Sequence, residues 1–326
     1  MNGPPEPRRR PVDVAIIVVS YNDAADLPIS LASALAQRGV SREVLLVDNA
    51  SADGSRAEAA RLGVRVVALP ENTGFAAAMN AGIDATESRY VLALNPDCRL
   101  EPDFAATIVA RMDARPDAGS ASGRLLRGDG PDLRPSGVLD SAGIVFRPSG
   151  RHFDRGAGEP AAGRYEREEE IEGASGAAGL YRRDALGAAR ISTGFFDADF
   201  FLYREDADLA WRLRNLGWRC LYVPGALAYH RRRNLPERRR QMTAAVNLHS
   251  VKNRFLLRIN NQSGGDAFRT LLPTLARDLL VIGACLTVER SSLPAFRWLW
   301  QNRKRLWSKR REIQTLPRLQ GATADS

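Results

Sequence analysis

The chain has 326 residues, 44% hydrophobic and 26% charged, a globular composition long enough for one large or two ordinary domains rather than a disordered or membrane-spanning one. Of its 47 cationic residues only Lys252, Lys304 and Lys309 are lysine and none follows a glycine, which excludes a phosphate-loop nucleotide site and a Schiff-base lysine in the first two thirds. The net charge of +9 divides into −5 over residues 1–230 and +14 from 231 onward, an acidic body with a basic tail that points to an anionic partner surface.

Residues 1–11 are proline-rich, lack the apolar core of a signal peptide and read as a disordered arm. The run VAIIVV at 14–19 predicts a strand buried on both faces of a parallel sheet. Leu27, Leu31, Ala34 and Leu35 recur at helical spacing up to Arg38, with Gly39 as a stop. A strand at 44–47 ending at Asp48, a helix at 53–62, a strand at 64–69, a helix at 76–85 and a strand at 90–94 ending at Asn95 continue the alternation. This order predicts an α/β fold.

Beyond Asp97 the spacing of Phe104, Ile108 and Met112 predicts a helix. Residues 115–163, rich in Gly, Pro, Ser and Arg, show no period, so loops and short strands are expected; the acidic stretch 166–172 reads as a solvated face. Small residues over 173–179 permit close backbone approach to a ligand or another strand. A helix at 207–216 and a strand at 220–223 closed by Pro224 follow.

The tail shows helical apolar patterns at 246–259 and 267–288, but the apolar run 279–288 falls short of the about 20 residues a span needs. Residues 297–311 hold seven cations, no anion, and Trp298, Trp300 and Trp307. Two readings stand: an interfacial helix on an anionic membrane, or tryptophans packing the tail onto the body. Cys98, Cys220 and Cys285 are odd in number and scattered, which indicates neither a disulfide framework nor a zinc site and points to a reducing, cytoplasmic compartment.

In open α/β sheets ligands gather at the carboxyl ends of the strands. Those ends carry Ser20, Tyr21 and Asn22, then Asp48 and Asn49, then Asn95, Pro96 and Asp97. One polar terminus reads as a helix cap; three at one edge mark a candidate site.

The fragments VVSYN (18–22), VDNASADGS (47–55), ENTGFAAAMNAGI (71–83), LNPD (94–97) and GFFDADFFLYREDADLAWRLRNLGWRCLYVPGALAYH (194–230) together resemble the family 2 glycosyltransferases, specifically the rhamnosyltransferase-like branch that builds bacterial cell-surface polysaccharides. The resemblance covers about residues 12–230 and fades in the middle loops and the tail. It implies a GT-A fold, a Rossmann-like mostly parallel sheet, over 12–235, beside a basic amphipathic helical extension at 236–326. It also implies an inverting transfer of L-rhamnose from dTDP-rhamnose to a lipid-linked or polysaccharide acceptor at the inner face of the cell membrane, with the extension on an anionic membrane surface.

By this resemblance Asp48 accepts the N3 hydrogen of uracil or thymine while Ser20, Tyr21 and Asn22 line base and ribose; a helix cap is the alternative for Asp48. Asp97 stands where the family's DxD motif ends and is expected to ligate Mg²⁺ or Mn²⁺ on the diphosphate, a hard oxygen for a hard cation. Asn95 replaces the motif's first acid, which removes a charge and leaves a ribose contact open. Asn72, Gly74 and Asn80 belong to the motif that begins at Glu71, with Gly74 allowing backbone approach to the diphosphate or base. Glu205 and Asp206 match the family's ED motif, whose aspartate is the general base. Inversion needs one positioned carboxylate to take the acceptor's proton, and a helix start favours its ionised form. His230 resembles a further metal ligand of some relatives, a structural role being equally open. Gly176 and Ala177 resemble the acceptor-side loop, although Gly173 and Ala174 stand where an aromatic residue is usual.

Other classes fit less well. A dinucleotide oxidoreductase requires a glycine-rich first turn, and no glycine occurs between Gly3 and Gly39. A nucleic-acid-binding role for the basic tail is disfavoured by its interspersed tryptophans and amphipathic apolar runs. A UDP-hexose donor remains an alternative, as does a catalytically silent scaffold, against which the retention of Asp97 and Asp206 argues.

Overall fold

The computed structural model describes residues 11–232 and 243–320, so the expected arm lies outside the described residues except for Pro11. Strands β1 (Val12–Ser20), β2 (Arg42–Asp48), β3 (Arg65–Ala68) and β4 (Ser88–Leu94) run parallel in the order β3-β2-β1-β4. Val14 to Val18 have no solvent exposure. Alternate residues serve opposite faces: Val14, Ile16 and Val18 meet α1 (Leu27–Leu35) and α4 (Phe104–Asp113), whereas Ala15, Ile17 and Val19 join the core that includes α3 (Phe75–Asp84). α2 (Ser55–Arg61) lies between β2 and β3 in sequence.

The second half of the sheet departs from the sequence expectation. Residues 115–163 contain β6 (Ala118–Asp129) and β7 (Arg134–Ser141), full members of the sheet, as well as a hairpin of β8 (Ile144–Phe146) and β9 (His152–Asp154). Interior glycines hid β6. At Gly123 a Cβ would stand 2.5 Å from the Ala226 carbonyl oxygen, so a bare backbone is what lets the next strand pass. That strand, β12 (Arg219–His230), does not stop at Pro224; it pairs parallel with β6 up to Val223 and resumes at Leu227, bulging out the three residues Pro224, Gly225 and Ala226, the first of which lacks an N–H. The acidic stretch includes edge strand β10 (Glu169–Ile171), antiparallel to β12. β11 (Ala178–Arg182) lies antiparallel between β4 and β6, and short β5 (Cys98–Leu100) pairs with β12. The sheet is therefore mixed but mostly parallel.

After β11 come α5 (Arg183–Ala188) and α6 (Glu205–Asn215). The tail forms α7 (Ala244–Asn261), α8 (Gly264–Arg269), α9 (Leu271–Thr287) and α10 (Pro294–Gln314); the single helix expected over 267–288 is broken at Thr270. α7 and α10 pack on each other and on the body, where Leu256, Leu257 and Leu306 close over Phe200, Ala207 and Trp211. Trp298 joins this packing, as the reading of tryptophans docking the tail on the body expects, whereas Trp300 and Trp307 stay 68% and 60% exposed.

Candidate active site

At the donor edge, Ser20 and Asp48 face each other across β1 and β2 and are fully buried. Asp48 Oδ2 accepts from the Ser51 amide at 3.3 Å with Arg56 at 3.5 Å, which does not exhaust the carboxylate. Asp48 Oδ1 and Ser20 Oγ have no hydrogen-bond partner among the described residues, and orphaned buried acceptors ask for a donor. Asn22, in the left-handed region at φ 61°, accepts from the Ala52 amide at 2.8 Å, and Tyr21 stands beside it half exposed. Asn49 stitches this edge to the next loop: it donates to Asn72 Oδ1 and accepts from the Thr73 amide, both at 2.9 Å.

Two members of the 71–83 motif make contacts within the protein. Asn80 donates to the Phe196 carbonyl at 2.8 Å and accepts from the Phe196 amide at 2.9 Å, which engages both ends of its amide. Gly74 is required by the neighbouring loop: a Cβ there would stand 2.5 Å from the Phe201 carbonyl oxygen. The close approach foreseen for the nucleotide is made by the segment leading into α6.

At the end of β4, Asp97 Oδ1 lies 3.2 Å from His230 Nε2, and His230 Nδ1 lies 2.8 Å from Asp140 Oδ2. Burial alone would depress the imidazole, but its bonds to Asp140 and Asp97 outweigh that and raise its pKa to about 10; both carboxyls are correspondingly lowered despite burial. Arg232 bridges Asp140 and Asp154. Sequence reasoning missed Asp140, Asp154 and Arg232, because the strands carrying the two acids had no legible period. Among the described residues no three ligand-type side chains converge on one point as a metal cage. Asp97 fits a cation that takes most of its ligands from substrate phosphates and water, as Mg²⁺ commonly does, whereas His230, protonated and bonded at both nitrogens to Asp97 and Asp140, offers that cation no free lone pair.

The base edge joins residues that lie far apart in the sequence. Asp206 opens α6 and accepts from the Ala207 amide at 2.8 Å and the Gly176 amide at 3.1 Å. A Cβ on Gly176 would stand 2.9 Å from Asp206 Oδ2. Ala177 in turn receives the Asn95 amide at 2.9 Å, so one short path of backbone connects the Asp97 end of β4 to Asp206. Burial, then the nearby Asp154, raises Asp206 to about 6 against the opposing amides, and burial, then Asp206, raises Glu205 to about 8. Near neutral pH the pair holds one ionised carboxylate, on Asp206, which is partly accessible, whereas Glu205 is 8% exposed with Oε2 unpartnered. Of the two, Asp206 is the carboxylate able to accept a proton near neutral pH, and Glu205 belongs to the buried base of the helix.

The turn before α6 is strained, with Phe201, Tyr203 and Arg204 at φ of 65°, 65° and 73°. Such backbones cost about 1–3 kcal/mol each and persist only when their surroundings fix them. The tail does this. Asn253 Nδ2 lies within hydrogen-bonding distance of the carbonyls of Phe200, Leu202 and Tyr203, at 2.9, 2.8 and 2.8 Å. Lys252 donates to the Asp199 carbonyl at 2.5 Å, and Lys309 pairs with Asp197 and with Asp199, the latter at 2.6 Å. Asn260 donates to Asp197 at 2.8 Å and to Asp208 at 2.9 Å; Asp208 also pairs with the fully buried Arg212 at 2.8 Å. Two of the three lysines are thus buried against the segment that presents the base. Lys252 and Asn253 among the apolar residues of α7 were the signal available in the sequence; Lys309, one cation among many in α10, gave none.

A mostly parallel sheet with polar strand ends, a lone acid at the end of β4 and a carboxylate opening a later helix define a GT-A type nucleotide-sugar transferase domain. The profile of glycosyl transferase family 2 matches residues 15–189, and the chain belongs to that family. It is 33% identical to N-acetylglucosaminyl-diphospho-decaprenol L-rhamnosyltransferase of Mycobacterium tuberculosis over 239 residues, 66% of this chain and 75% of that protein. Over 105 residues it is 40% identical to the succinoglycan biosynthesis protein ExoO of Rhizobium meliloti, a match that spans 31% of this chain and 30% of the relative. Among solved structures, TarS 1–349 from S. aureus with UDP aligns at TM-score 0.56 and 16% identity over 88% of this chain and 78% of that one. The mannosyltransferase PcManGT from Pyrobaculum calidifontis with GDP-Man and Mn²⁺ aligns at 0.51 and 17% over 94% and 86%. At such identities these structures bear on the fold.

Proposed function

We propose that this chain is an inverting, metal-dependent glycosyltransferase of cell-surface glycan synthesis, moving L-rhamnose from dTDP-rhamnose to a hydroxyl of a lipid-linked or polysaccharide acceptor. The observation that carries the reading is Asp206, ionised near neutral pH, held by the Gly176 amide and joined through Ala177 and Asn95 to the Asp97 edge. The donor assignment leans on the mycobacterial relative. Asp48 Oδ1 and Ser20 Oγ receive the base's N–H, with Tyr21 and Asn22 alongside. Asp97, whose carboxylate His230 positions, would hold Mg²⁺ or Mn²⁺, and the cation would supply charge compensation to the departing diphosphate. Asp206 takes the proton of the acceptor hydroxyl as its oxygen bonds to the anomeric carbon and the bond from that carbon to the phosphate oxygen breaks.

The same proposal assigns the tail to the surface of a membrane. No single helix among the described residues is long and apolar enough to cross one. α9 nevertheless exposes Leu272, Leu279, Leu280 and Leu286 at 80%, 69%, 67% and 56%, and α10 adds exposed Trp300 with Arg303 over its ring at 4.2 Å. Apolar side chains next to ringed cations suit the surface of an anionic leaflet.

The test is a panel of nucleotide sugars assayed for transfer and hydrolysis with and without Mn²⁺. Mn²⁺-dependent turnover of dTDP-rhamnose is expected. A preference for a UDP-hexose would replace the donor while keeping the class, and metal-independent activity equal to the metal-loaded rate would remove the role given to Asp97.

A further inference from the structure

Helix α10 has two working sides. Arg297, Trp300, Lys304, Trp307 and Arg311 recur in steps of three and four residues and all are exposed, so cations and indoles alternate along one stripe, with Arg303 over the Trp300 ring at 4.2 Å. The ion pairs of α10 come from its other side. There Asp199 Oδ2 accepts from Arg305 at 2.7 Å and from Lys309 at 2.6 Å, and Lys309 also pairs with Asp197. Lys252 and Arg305 both lie over the Trp298 ring, 4.7 and 5.7 Å from its centre. Arg310 donates to the Ile259 and Gln262 carbonyls at 2.6 Å each, and Glu312 accepts from the Ser192 amide at 2.6 Å. The helix thus grips the end of α7 and residues 192–199, which lead into the strained turn.

Neither side is sufficient alone. Residues 297–311 hold seven cations and no anion, and Arg305 and Lys309, one turn apart, repel each other. A helix so charged is marginal in water without packing. Asp197 and Asp199 relieve the repulsion from inside, while the stripe leaves its own cations facing outward. Anionic headgroups would relieve it from outside. Both partners need the same ordered helix, so each strengthens the other, and the coupling is reciprocal.

We infer that α10 couples the membrane to the base: an anionic bilayer held by the stripe tightens the grip of Arg305 and Lys309 on Asp197 and Asp199, fixes the turn before α6 and raises turnover. Arg305 and Lys309 are thereby positioning residues for Asp206, and the inference rests on the membrane reading of the tail. The turn is what the grip acts on, because φ values of 65°, 65° and 73° at Phe201, Tyr203 and Arg204 persist only while their surroundings hold them. A bilayer suits the stripe better than a nucleic acid does. Its headgroup layer takes indoles and cations together and also covers the exposed leucines of the preceding α9, which a duplex would leave in water.

The experiment follows hydrogen exchange of residues 197–206 in the full chain, beside vesicle flotation and the rate of dTDP-rhamnose hydrolysis with Mn²⁺. The conditions are buffer, phosphatidylcholine vesicles, phosphatidylglycerol vesicles and duplex DNA. Phosphatidylglycerol is expected to bind the protein, slow exchange at 197–206 about fivefold and raise hydrolysis by a similar factor, the lower end of ordinary coupling. Phosphatidylcholine is expected to do neither. Arg305→Gln, which leaves the stripe intact, is expected to float with the vesicles as wild type does and to lose about half or more of both effects. Trp300→Ser combined with Trp307→Ser is expected to lose flotation and both effects at an unchanged melting temperature. Flotation with unchanged exchange overturns the inference, as does faster exchange on vesicles, which would mean that lipid draws α10 off the body. Equal slowing by duplex DNA overturns it too. Failure to float removes the membrane reading and the inference with it, whereas absent hydrolysis removes the enzyme reading and leaves exchange to judge the inference.

Discussion

The donor edge and the base edge are built in different ways. At the donor edge, Ser20, Asn22, Asp48 and Asn49 sit on adjacent parallel strand ends, and their bonds to Ala52, Ser51 and Thr73 stay within one run of βα units. At the base edge Asp206 follows a strained turn fixed from outside, by Asn253, Lys252 and Lys309, which lie about fifty to over one hundred residues further along the chain. The first is a product of local folding and the second of tail docking. Damage to the tail should therefore reach catalysis, not only location.

The largest effect expected from breaking this contrast is at Asp206. Asp206→Asn should fold and bind donor while its transfer rate falls about 10²–10⁴-fold, the range of a general base. With the Asp206 pKa raised to about 6, the wild-type rate should fall about tenfold per unit below pH 6 and level off above it, since the base works ionised. An Asp206→Asn enzyme as fast as wild type would sink the assignment of the base.

Next comes the tail. Lys309→Met should leave Asp197 buried and unpaired, costing about 3–5 kcal/mol, and lower activity with it. Lys304→Met, at an exposed position of the same helix, should stay within about 0.5 kcal/mol. Equal melting temperatures for the two variants would refute the idea that α10 supports the base.

Glu205 gives an effect of opposite sign. Its folded pKa of about 8 lies above the ordinary 4.5, so its contribution is least unfavourable below pH 4.5 and becomes more unfavourable up to about pH 8. Glu205→Gln should thus be more stable than wild type by about 4 kcal/mol at pH 8 and no more stable at pH 4, as read by denaturant titration at both pH values. A pH-independent difference would refute the burial of an ionisable Glu205. The smallest effect is expected at the donor edge, where Asp48→Asn should weaken nucleotide affinity about tenfold, measured calorimetrically, with little change in turnover. A matching loss of turnover would mean that the two edges are not separable.

The donor half was the more legible for a physical reason. Strands buried on both faces are continuous apolar runs, and the polar residue ending each run is where a parallel sheet places its ligands. Asp48, Asn95 and Asp97 could be found that way. Asn80 and Gly74 lie in the 71–83 motif, but what they contact depends on Phe196 and Phe201, more than one hundred residues away. β6 was invisible because glycines erase its alternation, and with it went Asp140 and Asp154.

The unequal split of charge and the scarcity of lysine were fixed by composition, and the α/β alternation by periodicity. What the lysines do was decided by tertiary structure alone. The basic tail read as a surface for anions, yet Lys252 and Lys309 are buried inside it, because a charge drawn out of water needs a partner and Asp197 and Asp199 supply one only once α7 and α10 have docked.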